Sequence, residues 1–186
     1  MKQELLDAYA EPHRHYHDSR HIEACLRELA AVEGLTADER RVLDYAIWWH
    51  DAIYDPARSD NEERSAILAE RDLAHIDVDP ATRETVARLI HLTRDHKVEP
   101  DDRLGALLVS IDLSILGRPA AEYDAYAAAI RAEYAHVPEE MYRPGRAAVL
   151  TRFLAAPVIY PDPGFRRRYE EQARANITRE IARLEA

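Results

Sequence analysis

The chain has 186 residues, 47% of them hydrophobic, and a formal net charge of −10 at pH 7; this length suits a single domain over residues 1–186 with one sizeable core. No basic block is longer than the Arg166–Arg168 run, so sequence-independent binding to DNA or RNA is not expected. No apolar run approaches the roughly 20 residues that cross a bilayer, and the N-terminal MKQELLDAYAEP has no apolar signal core, so the expectation is a cytoplasmic protein without membrane contact.

Helical signals recur along the chain. The five glycines and the scarcity of β-branched residues alternating with polar ones leave little for strands. HRHYHDSRHI spaces His13, His17 and His21 by four, which on a helix gives one shared face. Ile22, Leu26, Leu29 and Ala30 continue as an apolar face. Cys25, the only cysteine, excludes an internal disulfide and reads as a small core residue. TADE at Thr36–Glu39 has the capping-box form and precedes the face of Val42, Leu43, Ala46, Ile47 and His50. SDNE at Ser59–Glu62 repeats that form ahead of Ile67, Ala69, Leu73 and Ile76. Asp79-Pro80 reads as an N-cap followed by a first-turn proline, opening the helix of Val86, Leu89 and Ile90. LGALLVSIDLSILG is nearly all apolar, so it should be a central helix, stopped by Gly117 and Pro119. Pro138 and the PDPG of residues 161–164 mark further breaks, and a last helix runs from Phe165 to Leu184. The expected fold is an all-α bundle of roughly eight helices.

Four places put ionisable groups where a plain core would not. The His13, His17, His21 series is one; its bland alternative is a polar, solvated helix start. His21 lies beside the apolar face at Ile22 and is the member expected to point inward. His50-Asp51, inside YAIWWHDAIYD, is the second; the alternative is a structural His-Asp pair. Asp112 in LLVSIDLSIL is the third, because an ionised carboxylate in an apolar helix costs several kcal/mol unless compensated. Its alternative is a buried salt bridge to an arginine. IHLTRDH, with His91 and His96, is the fourth; at a helix end His96 also suits the role of a C-terminal cap. Taken together, two histidines and two aspartates on separate apolar helices can converge on one centre. Such a mixed nitrogen and oxygen set suits a divalent cation with open positions. Mn, Fe, Co, Ni, Zn and Mg all remain compatible.

The order His21, His50-Asp51, Asp112 in a helical chain of this length resembles the HD superfamily of metal-dependent phosphohydrolases. Closer still is the resemblance to small bacterial proteins described as predicted HD-superfamily phosphohydrolases. It rests on YHDSRHI, WWHDAIYDP, DNEERSA, LIHLTRDH, SIDLSILG, FLAAPVIY and ARANITREI, which span Tyr16 to Ile181. The resemblance implies an HD-type helical domain in which His21, His50, Asp51 and Asp112 are the metal ligands. YHDSRH is also similar to the YHNxxH motif of cyclic-nucleotide phosphodiesterases. That likeness implies a general-acid role for His17, although Asp18 stands where the motif has asparagine.

The expected activity is hydrolysis of a phosphate ester or anhydride in a small molecule, a nucleotide or related phosphate, by a metal-activated water. A second ion, held by His91 and His96 with Asp51 bridging, stays open. Asp55 and Glu62 are candidates to orient water, Glu62 having a capping-box role as its alternative. Arg94, Lys97, Arg143 and Arg146 are candidates to contact phosphate, each with a solvated surface role as its alternative. One of Trp48 and Trp49 is expected in the core and the other beside the pocket. Two rivals stand beside this reading: a di-iron HD-type oxygenase, and a non-catalytic, metal-stabilised helical sensor or binding module. A homodimer is the base-rate expectation.

Overall fold

The computed structural model describes residues 2–186, and among these there is no β-strand. Nine α-helices run in order: α1 (Lys2–Ala8), α2 (Ser19–Ala30), α3 (Ala37–Trp49), α4 (Asn61–Ala74), α5 (Pro80–Leu92), α6 (Arg103–Asp112), α7 (Ala120–Glu133), α8 (Glu139–Ala155) and α9 (Pro163–Glu185). A 3-10 turn, Leu113–Gly117, joins α6 to α7. The expected all-α architecture is present, with one helix more than anticipated.

Caps explain most of the boundaries. Thr36 and Glu39 form the reciprocal capping box at the start of α3, and Asp79 accepts from the Thr82 N–H ahead of Pro80. The SDNE box does not form. Asp60, not Ser59, is the residue before α4, and it makes no cap hydrogen bond; its carboxylate accepts from two of the three guanidinium nitrogens of Arg58 at 2.7 and 2.6 Å. The His13, His17, His21 series is not one helix either. The Asp18 side chain accepts from the Arg20 N–H and starts α2 after His17, so His13 and His17 precede the helix.

α3, α5 and α6 form the centre of the bundle: Leu43, Ala46, Ile47, Val86, Leu89, Ile90, Val109 and Ile111 are all fully buried. α4 packs along α5, and α9 packs along α8 and against the 3-10 turn. The face of α4 is rotated from the expected one. Ala66, Ala69 and Leu73 are buried, whereas Ile67 and Ile76 are exposed. The predicted central helix is broken in two, and Asp112 is the last α-helical residue before the 3-10 turn.

Arginine forks hold the helix ends, where carbonyls lack partners within the helix. Arg40 donates to Leu29 O and Val32 O at the end of α2. Arg174 reaches Leu154 O and Ala156 O at the end of α8, and Arg131 reaches Tyr134 O and Val137 O after α7.

Gly117 does stop its segment, but not through a left-handed conformation. A Cβ there would lie 2.5 Å from the Tyr169 Cβ and 2.8 Å from the Tyr169 carbonyl oxygen, so glycine is needed for α9 to approach. Gly117→Ala should therefore cost about 1–3 kcal/mol by overpacking, at least as much as the roughly 1 kcal/mol expected for loss of the Thr36 cap in Thr36→Ala. Urea denaturation of the two variants side by side measures the ranking.

Candidate metal centre

The four residues singled out by the sequence meet at one point. His21 sits in the first turns of α2, His50 caps the C-terminus of α3, Asp51 begins the following turn, and Asp112 ends α6. His21 Nε2 lies 3.1 Å from His50 Nε2, 3.5 Å from Asp51 Oδ2 and 3.2 Å from Asp112 Oδ1. His50 Nε2 lies 3.0 Å from Asp51 Oδ2 and 3.6 Å from Asp112 Oδ1. Donor atoms about 2.1 Å from a shared cation stand roughly 3.0 Å apart in an octahedron and about 3.4 Å apart in a tetrahedron. The five spacings fall close to that range; His21, His50 and Asp51 form one group close enough to hold a cation, and His21, Cys25 and Asp112 form a second that shares His21.

The tautomer agrees. His50 Nδ1 is 2.9 Å from Ile47 O; a carbonyl only accepts, so Nδ1 carries a hydrogen and Nε2 is the nitrogen that would give its lone pair to a cation. The arginine alternative for Asp112 fails. Among the described residues, its carboxylate and that of Asp51 pair only with histidines. Burial alone would raise the pKa of both acids. The facing imidazoles overrule it and hold both below the usual carboxylate range: His21, His50 and His96 for Asp112, and His50, His17 and His21 for Asp51.

Residues outside the ligand set fix the turn that carries Asp51. Arg14, 6% exposed, donates to His17 O, Asp51 O and Ala52 O at 3.0, 2.6 and 3.1 Å. The Ser65 hydroxyl accepts from the Ile53 N–H at 3.0 Å. His17 lies at the rim, its ring stacked on Tyr54 at 4.2 Å and perpendicular to His21 at 6.0 Å between centroids. Its Nδ1 is 2.7 Å from Glu133 Oε2, which also accepts from the Tyr54 hydroxyl at 2.8 Å. Oε1 of the same carboxylate accepts from three successive N–H groups, those of His15, Tyr16 and His17, at 2.9, 2.7 and 2.9 Å. Sequence reasoning passed over both Arg14 and Glu133.

The other predicted site residues divide. His96 reaches the centre, with Nε2 3.5 Å from Asp112 Oδ2; it adopts a φ of 59° and packs on Phe153. His91 does not join it, being exposed and 3.7 Å from Glu63. Asp55 is exposed and accepts from the Ala57 N–H within its own turn. Glu62 is half-buried in the first turn of α4, with no hydrogen bond or ion pair drawing it to the ligands. Arg146 is committed to Glu180 at 2.8 Å and lies against the Tyr126 ring. Arg143 donates to Leu184 O at 2.6 Å, Lys97 pairs with Asp95 at 3.3 Å, and Arg94 is exposed. None of the four candidate phosphate contacts is bonded to a ligand residue.

Cys25 is a core residue, as expected, but its sulfur stands 3.8 Å from both ring nitrogens of His21. That sulfur, His21 and Asp112 together form a second group of donors close enough to hold a cation. Trp49 is buried and donates to Asp72 at 3.2 Å, while Trp48 packs partly buried against the core. Neither lines the cavity beside His21.

Comparison with family models, with curated proteins and with solved structures gives no match. The functional reading therefore stands on the geometry of this chain.

The Glu133 pKa is drawn down to about 2 from an ordinary 4.5; burial would raise it, but the hydrogen bond and charge of His17 and the Tyr16 and His17 N–H groups prevail. A carboxyl whose folded pKa is depressed stabilises the fold above its unfolded pKa and loses that contribution as pH falls through the folded value. The stability gap between the parent protein and Glu133→Gln should thus be widest at neutral pH and shrink as pH falls from 4.5 towards 2, as followed by urea denaturation across a pH series.

Proposed function

We propose that the protein is a metal-dependent phosphohydrolase acting on a phosphate ester or anhydride of a small molecule. The observation that carries this reading is the convergence of His21, His50, Asp51 and Asp112 within 3.0–3.6 Å contacts with no arginine or lysine on either carboxylate among the described residues. A divalent cation held there supplies Lewis-acid polarisation of a phosphoryl oxygen and acidifies bound water. The protein's part is positioning. Asp51 and Asp112 carry the negative charge that retains the cation, and the Ile47 carbonyl and Arg14 fix the ligand-bearing backbone. His17 is the candidate general acid. Its Nδ1 hydrogen is committed to Glu133, which leaves Nε2 as the nitrogen that exchanges a proton with a departing alkoxide. Burial lowers the His17 pKa, but the Asp51 charge and the Glu133 hydrogen bond outweigh it and favour the protonated ring, the form a general acid requires.

A second ion receives support from one side only, through His96 near Asp112. A di-iron oxygenase needs more histidine ligands than His96 alone adds, so the hydrolytic reading is preferred.

Asp112→Ala should retain the helical fold, lose the rise in melting temperature that Mn²⁺ gives the parent protein, and lower turnover of phosphate esters by roughly 10³-fold or more. Circular dichroism, thermal melts and a screen of phosphate compounds, with His50→Ala as contamination control, check the three outcomes. Chelator-induced melting with no phosphate compound turned over would instead establish the non-catalytic metal-stabilised module. His17→Ala should slow hydrolysis of alkyl phosphates by about 10²–10⁴-fold and that of p-nitrophenyl phosphate far less, because nitrophenolate leaves without a proton. Equal losses on both substrates in steady-state assays would remove His17 from the acid role.

A further inference from the structure

A cavity of about 230 Å³ lies between α2, the 3-10 turn and α7, and its lining includes His21, Tyr16, Ser114, Ile115, Tyr126 and Ala129. His21 is thus shared: its Nε2 faces the ligand cluster, and the residue also contributes to the cavity wall. Aromatic rings continue that wall outward. Tyr16 lies 4.8 Å from His21 and 4.6 Å from Tyr126 between centroids, the two tyrosines being edge to face at 72°.

Two observations say what the cavity suits. Ser114 is 4% exposed, yet its hydroxyl makes no hydrogen bond among the described residues, although it lines this space. This hydroxyl, with one hydrogen to give and two lone pairs, is open to the cavity and can meet a polar edge of an occupant there. The charges around the rim balance: Glu122 also lines the space, and Arg168 shares the Glu28 carboxylate with Arg118. Arg20 is paired with Asp18 at 2.6 Å and Arg118 with Glu28 at 2.6 Å. The remaining lining is largely alanine, isoleucine and tyrosine, so the space is not made for a second phosphate. Its volume falls below the roughly 300–1,000 Å³ of pockets that enclose whole drug-sized ligands, which leaves room for one ring system.

We propose that this cavity seats a flat, uncharged ring of the substrate, an aryl group or a nucleobase, next to the phosphate held at the His21 cluster. The assignment rests on the phosphohydrolase reading for the phosphate but not for the ring. Tyr16 and Tyr126 supply the aromatic wall, and Ser114 meets a polar ring edge.

Two measurements test it separately from that reading. Saturation-transfer NMR with adenosine and with benzyl alcohol, neither carrying phosphate, reads ring binding directly in the parent protein. Signal transfer to at least one, lost in Ala129→Trp, is the expected result; no transfer to either overturns the cavity assignment whether or not the protein hydrolyses phosphates. In kinetic assays, kcat/KM for adenosine 5′-monophosphate and phenyl phosphate is divided by that for glycerol phosphate. The ratio should fall at least tenfold in Ala129→Trp, mainly through KM. Ser114→Ala, which adds no bulk, should raise KM for the nucleotide and spare phenyl phosphate if the ring is a nucleobase. If it spares both while Ala129→Trp acts on both, the ring is aryl. An unchanged ratio in folded Ala129→Trp overturns the proposal. Loss of all phosphate turnover in the parent protein, with ring binding intact, overturns the phosphohydrolase reading alone.

Discussion

Two carboxylates, those of Asp51 and Asp112, meet inside an apolar bundle with only imidazoles as partners among the described residues. Removing ionised groups from water costs several kcal/mol each unless opposite charge is supplied. Most features around the centre can be understood from that requirement. Each ligand sits at or near a helix end or junction, where the backbone can turn a side chain inward without cutting through a regular helix. The Ile47 carbonyl fixes the His50 ring, Arg14 and Ser65 fix the Asp51 turn, and the break after Asp112 separates it from the 3-10 turn. The side chains of this candidate site are thus oriented by the protein itself, with partners that do not depend on a cation.

Glu133 and Arg14 extend the same logic one layer outward. Glu133 gathers three backbone N–H groups, an imidazole and a phenol. A carboxylate so surrounded anchors the loop before α2 and fixes which nitrogen of His17 stays available. Arg14 ties that loop to the turn after α3. Its guanidinium lies between the rings of Tyr9 and Tyr54 at 5.2 and 5.5 Å, so its cost of burial is met by carbonyls and aromatic faces together. The chain uses arginine in this way repeatedly. A planar fork spans two neighbouring carbonyls at a helix end, which a lysine ammonium cannot do with the same geometry.

The gathering of His21, His50, Asp51 and Asp112 was legible in the sequence because each member violates the local pattern. His50, Asp51 and Asp112 interrupt apolar runs, and His21 borders one. Helix starts at Thr36 and Asp79 were legible for a different reason: their caps are local and need no tertiary partner. What escaped depends on contacts across the chain. Glu133 ends an ordinary amphipathic helix, and nothing near it announces His17. Arg146 looked free to bind phosphate until Glu180, from another helix, took it up. The histidine series misled because spacing by four implies one helix only if no cap intervenes, and Asp18 is a cap. Ser59–Glu62 misled because the helix starts one residue later than the motif requires: Asp60, not Ser59, stands before it.

The anchoring of His17 also bears on how the molecule is built in time. The Glu133 contacts to His15, Tyr16 and His17 close loops of 116–118 residues, and the entropy of that closure has to be overcome for them to form. All four donor residues lie within the chain from α1 to α6, the last of them being Asp112, whereas Glu133 lies on α7. A chain emerging from the ribosome thus presents His21, His50, Asp51 and Asp112 before Glu133, the anchor of His17, and the order of synthesis separates the two parts of the candidate site in time.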